Sequence, residues 1–93
     1  MTKWIQSGRR RDICLLVAAA DGGCRGQELK TQLEGHYDDH LKPSSFYGSL
    51  SALVESGHLE CQQEGLHDRY TLTAAGEKRL REHVTWVRSC VED

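Results

Sequence analysis

A mostly helical α+β fold is what this sequence predicts, and three observations carry the prediction. Apolar residues recur at helical spacing in three successive segments before Gly57. Two short alternating stretches then follow, separated by a polar turn that contains Gly65. A last segment carries Leu80, Val84, Val87 and Val91 at spacings of 4, 3 and 4, the seam pattern of a helix that packs along a partner.

Taken in order, Ile13, Leu16, Val17 and Ala20 share one helical face, widened by Leu15 and Ala19. They predict a buried first helix from about Ser7 to Ala20, stopped by Asp21-Gly22-Gly23. Leu29 and Leu33, one turn apart, place a shorter second helix over Gln27 to Glu34, closed by Gly35. His36 to Lys42 reads as a polar loop. Pro43 then sits in the first turn of a third helix, where its missing N–H is no loss. Phe46, Leu50, Leu53 and Val54 give that helix one apolar stripe, and Gly57 gives it a stop. Its opposite face holds Ser44, Gly48, Ser51 and Glu55, with Ser45, Tyr47 and Ala52 on the flanks. An ordinary solvated helix face mixes Glu with Lys; this one is small and hydroxyl-rich. The whole stretch from Pro43 to Glu60 contains no Lys or Arg.

In the alternating stretches, Leu59 and Cys61 share one face of His58 to Gln62, and Tyr70 and Leu72 share one face of Arg69 to Thr73. Gln63 to Asp68 is the turn between them. Thr73 can cap the last helix, which runs to about Val91. At 1.5 Å per residue that helix is about 27 Å long, more than one small core needs, so its far end is expected to pack on a second copy of the chain. Trp86 and Cys90 widen its seam. Three helices, a two-stranded wing and a long closing helix make a winged helix-turn-helix with a C-terminal dimerisation helix. The winged unit covers 1–73 and the dimerisation helix 74–93, as parts of one compact unit.

Bulk properties bound the function. At 93 residues there is room for one small domain, and 28% charged with 38% hydrophobic residues suits a globular chain. No apolar run reaches the roughly 18 residues needed to span a bilayer, and MTKWIQSGRRRD leads into no cleavage site. A cytoplasmic protein with no membrane partner is expected. Four cysteines form no CxxC pair, and His36 and His40 are the one HxxxH spacing, so neither a metal site nor a cofactor is expected. Reduced thiols, some packed as small hydrophobes, are the simpler account. There is no Gly-rich phosphate loop, nucleophile elbow or rigid carboxylate pair, and an enzyme is not expected.

The run Pro43-Ser44-Ser45-Phe46-Tyr47-Gly48-Ser49-Leu50 through Gly57-His58-Leu59-Glu60 resembles the recognition-helix stretch of PadR-family transcriptional regulators. Arg69-Tyr70-Thr71-Leu72-Thr73-Ala74-Ala75-Gly76 is similar to that family's wing exit. Arg11-Asp12-Ile13 and Gln27-Glu28-Leu29-Lys30 look most like its phage-repressor-like branch in halophilic archaea. Two departures stand out: Gly48 follows Tyr47 where the family often has proline, and the wing carries Glu60, Glu64 and Asp68. The resemblance implies a homodimeric repressor on double-stranded DNA at a pseudo-palindromic operator.

On that reading the third helix reads base edges while other residues hold phosphate. Its N-terminus directs partial positive charge outward, Ser44, Ser45 and Tyr47 add donors, and small residues at Gly48 and Ser51 let the backbone sit deep in a groove. Positive charge comes from Lys42, from His67 and Arg69 on the wing, and from Arg9, Arg10 and Arg11, which could equally be a solvated arm. Trp4, Leu80, Val84, Trp86, Val87 and Val91 are the expected dimer contacts. Two alternatives stay open. One is a redox-responsive regulator with Cys24 or Cys90 as an exposed thiol. The other is a winged helix that binds protein, favoured by the acidic wing and the net charge of −2.

Overall fold

Ile13, Cys14 and Val17 turn one side of helix α1 (Gly8–Ala19) into a wall of the core. The structure, a computed structural model, describes residues 8–92. After α1 come β1 (Cys24–Arg25), α2 (Gly26–Tyr37), α3 (Pro43–Glu55), β2 (Leu59–Glu64), β3 (His67–Leu72) and α4 (Ala74–Val91). The three N-terminal helices enclose Ile13, Leu29, Leu33, Phe46, Leu50 and Leu53, all fully buried, and Leu59 closes the cluster from the sheet. Such side chains each contribute about 1.5–3 kcal/mol by leaving water.

Helix α2 is longer than its apolar pair predicts. Gly35 lies within it, with open space where a side chain would be. The helix ends instead at Asp38, which takes the left-handed conformation (φ 54°) that Asp tolerates better than most residues. The Tyr37 hydroxyl donates to Asp12 Oδ2 at 2.6 Å and ties the end of α2 to α1. Burial, with the bond and charge of Asp12, pushes the Tyr37 pKa up to about 12. The loop that follows is less polar in character than expected, because Leu41 is buried in the core. One carboxylate pins it: Glu34 Oε2 accepts from Leu41 N at 2.8 Å and from Lys30 Nζ at 3.0 Å, and lies 3.0 Å from His40 Nδ1. The turn between α2 and α3 is therefore held from within.

At the other end of α3, Gly57 (φ 80°) reverses the chain. Gly57 N donates to Val54 O at 3.0 Å and His58 N to Leu53 O at 2.9 Å, the paired bonds of a Schellman cap. The chain passes directly into β2. Strands β2 and β3 pair antiparallel from Leu59–Leu72 to Glu64–His67, so the connecting loop is only Gly65-Leu66, tighter than the expected Gln63 to Asp68. Gly65 has φ 59°, as the first position of a type II′ hairpin turn requires.

Among the described residues the sheet has three strands, where the sequence predicts two. Short β1 pairs antiparallel with β3, Cys24 opposite Tyr70 and Arg25 opposite Arg69, giving the order β1-β3-β2. Gly23 makes that approach possible: a Cβ there would fall 2.6 Å from both Thr71 Cγ2 and Tyr70 O. Cys61, which shares a strand face with buried Leu59, is itself exposed, because β2 is an outer strand of the sheet.

Thr73 caps α4 by accepting from Gly76 N at 3.0 Å. Its hydroxyl also donates to Gly57 O at 2.5 Å, and its N–H to His58 O at 3.1 Å. These bonds fasten the start of α4 to the end of α3. Leu80, expected in a dimer seam, is a correction: it is buried in the chain's own core. The same helical spacing faces the body at one end of α4 and leaves it at the other. Val84 is half-buried, while Trp86, Val87 and Val91 are exposed, Trp86 at 62% and Val91 at 73%. Trp4 lies outside the described residues. Among the described residues, no helix is long and apolar enough to cross a membrane.

Candidate nucleic-acid interface

Helix α3 presents the face its sequence promised. Phe46, Leu50 and Leu53 are buried, while Ser44, Ser45, Gly48, Ser51 and Glu55 are exposed. Pro43 occupies the first helical turn, after Lys42 in an extended conformation. The first N–H groups of a helix have no partner within it, so they point outward with the positive end of the helix dipole. Lys42 is exposed beside them. Around Gly48 there is open space, so nothing of the protein stands over the helix backbone there. Tyr47 packs edge-on against Phe46, ring centroids 5.2 Å apart, and remains 38% exposed.

A cavity of about 230 Å³ opens next to Tyr47. Its lining comes from three places: Arg25, Gly26 and Gln27 at the start of α2, Tyr47 of α3, and Leu66, His67, Asp68 and Tyr70 of the wing. Tyr47 on the flank of α3, the start of α2 and the wing tip thus border one recess. Of the predicted residues, Tyr47 and His67 are brought together here. Arg25, Gln27 and Leu66 are additions that periodicity cannot find, since they lie at a strand end, a helix start and a turn. A basic residue immediately before the second helix was the available signal for Arg25.

Arg69 is placed differently from expectation. Its Nε donates to Glu64 Oε1 at 2.8 Å, and its Nη1 to the carbonyls of Gly22 and Gly23 at 3.4 and 3.3 Å. The guanidinium braces the wing against the turn after α1. Its hydrogen bond, ahead of its charge and that of neighbouring Arg25, holds the Glu64 carboxyl below the usual range. Arg9, Arg10 and Arg11 lie half-buried in the first turn of α1 and do not border the cavity.

Two further groups bear on the alternatives. Cys24, named as an exposed thiol, is buried, and desolvation raises its pKa, as it raises that of Cys14 to about 12. Cys61 and Cys90 are exposed and free. His58 is buried under α4, its Nδ1 2.6 Å from Ser56 Oγ; burial first, and then the charge of Arg79, hold its pKa below 6.5. Among the described residues, no three His, Cys, Asp or Glu side chains gather as a metal site.

Three helices, a three-stranded antiparallel sheet ending in a wing, and a long last helix define the winged-helix fold. Solved structures of that class superpose closely. RosR of H. salinarum does so with a TM-score of 0.86 at 22% identity, over 94% of this chain and 79% of that one. F93 from STIV, a winged-helix DNA-binding protein, matches at 0.78 and 14% identity, over 98% of this chain and 96% of that one. HlyU from Vibrio cholerae matches at 0.67 and 20% identity, over 98% and 87%. No protein-family profile matches the chain, and no curated protein is matched by it.

Proposed function

We propose that the chain is a sequence-specific double-stranded DNA-binding transcriptional regulator of the PadR-like kind, acting in the cytoplasm as a homodimeric repressor. The observation that carries this reading is the exposed, hydroxyl-rich, small-residue face of α3, on which Glu55 is the one charged residue and beside which Tyr47 borders a recess with the start of α2 and the wing tip. A solvated helix has no need of such a face; a helix that enters a groove does. Among the similar structures, F93 is a winged-helix DNA-binding protein, and RosR occurs in complexes designated RosR-S1 and RosR-S4.

In this reading α3 lies in the major groove. Ser44, Ser45, Tyr47 and Ser51 offer hydroxyls to base edges and phosphates, and Gly48 permits close approach. Lys42 and Arg25 supply phosphate contacts from outside the helix, with His67 on the wing. The outer part of α4, where Trp86, Val87 and Val91 are exposed and Val84 is half-buried, is the surface for the second copy, so two α3 helices would meet two half-sites. The exposed Cys90 on that same helix favours one variant of the reading, in which oxidation of its thiol disturbs the dimer.

Selection from a random duplex pool under reductant tests the proposal. An enriched inverted repeat is expected, with affinity falling steeply with salt, and with Ser45→Glu and Tyr47→Ala weakening binding without unfolding the chain. No enrichment, or a flat salt response, would overturn it in favour of a protein-binding wing.

A further inference from the structure

Leu66 is 99% exposed at the tip of the wing. A single exposed leucine is ordinary on a protein surface, but three circumstances set this one apart. It is the second residue of a two-residue hairpin loop, where Asn, Asp or Ser usually follows the glycine. A leucine there does nothing for the turn.

The wing that carries it is also a braced stalk. Every residue from Leu59 to Glu64 is paired with one from Leu72 to His67. Arg69 ties the hairpin to Glu64 within it and to Gly22 and Gly23 outside it. Finally, Leu66 shares the lining of the 230 Å³ recess with Tyr47 of α3 and with Arg25 and Gln27 of α2. A duplex seated on the α3 face therefore meets the wing tip as well.

The tip has little to offer phosphate. Glu64 is engaged by Arg69, Asp68 is acidic, and His67 is the one basic side chain from Gln62 to Asp68. Its most exposed group is apolar. We infer that Leu66 is a minor-groove contact that widens and partly unstacks a base step beside the α3 site, so that it selects sequence by deformability. This rests on the DNA-binding reading and adds a residue and a mode of readout to it. The reach is adequate: six residues of strand extend about 20 Å, against about 17 Å for half a helical turn of duplex. Apolar wedges work by unstacking steps toward a bend, and pyrimidine–purine steps yield most easily. A preference for TA or CA at a fixed distance from the α3 half-site follows.

The test uses the full chain and the duplex enriched by selection, with 2-aminopurine placed in turn at each flanking step. Wild type should raise fluorescence at one step outside the α3 site. Leu66→Ala should abolish that rise and weaken binding by about tenfold or more, the scale set by a buried leucine. The salt slope should stay unchanged, since no charge is altered. Leu66→Met should retain both signals. If Leu66→Ala binds as tightly with the same fluorescence while Ser45→Glu weakens binding, the DNA reading stands and this inference falls. If wild type enriches no duplex, both fall together.

Discussion

Gly76 and Gly48 both lie within helices, yet alanine at the two should act in opposite directions. A Cβ on Gly76 meets the His58 carbonyl oxygen inside contact distance and lies 2.9 Å from the carbonyl carbon and 3.1 Å from Cα. All three atoms are backbone, so no side chain can swing aside. Normal C···O contact is about 3.3 Å or more, so α4 must move away from the start of β2 by about 1 Å. Overpacking of this kind costs about 1–3 kcal/mol. The shift also strains the Thr73 bonds to His58 O and Gly57 O, each worth about 1 kcal/mol. The helical preference of alanine returns about 1 kcal/mol. Gly76→Ala should therefore destabilise the fold by about 2–4 kcal/mol, which lowers a urea midpoint by about 2–4 M at an m value near 1 kcal/mol/M. Gly48 has open space around it, so Gly48→Ala should stabilise by about 0.5–1 kcal/mol while weakening duplex binding. Urea unfolding of both variants reads the signs. A Gly76→Ala protein within about 0.5 kcal/mol of wild type, the scatter of neutral surface changes, would refute the packing argument.

Three other outcomes are expected. Arg69→Ala releases Glu64 and the Gly22–Gly23 carbonyls, so amide exchange should accelerate along β2 and β3; a change confined to duplex affinity would mean that Arg69 serves phosphate instead. The pKa of His58 is lowered from 6.5 by burial and Arg79, so the unfolded chain binds that proton more readily. Its stabilising contribution is complete above pH 6.5 and fades as pH falls through the lower folded value; thermal melts between pH 7.5 and 5 should show the loss, and His58→Gln should flatten it. Trp86→Glu should convert a dimer to a monomer in sedimentation with the monomer fold intact, whereas an unchanged dimer would place the interface elsewhere.

The helices were legible because burial imposes a period. Phe46, Leu50 and Leu53 had to share a face, and Gly57 had to stop the chain, whatever else the molecule does. Strand β1 was not legible, since two residues carry no alternation. Leu41 was hidden because a lone apolar residue in a polar loop has no period either. Leu80 and Val91 continue one pattern yet differ in surroundings, so periodicity could not separate core from exposed face. The site was half legible: the bare face of α3 follows from composition and spacing. The role of Arg69 does not, because its carbonyl partners lie 46 and 47 residues away in sequence.

The short pairing of β1 with β3 has a thermodynamic consequence. Because the wing is stitched to the turn ahead of α2, it is not a loose flap waiting for a surface to order it. Association with a duplex would then leave the chain's own freedom nearly unchanged, and adaptation would fall on the nucleic acid. Differences between operators should consequently follow the stiffness of the DNA, appearing in sites that differ only between the contacted bases. A rigid mould discriminates by what will bend to it.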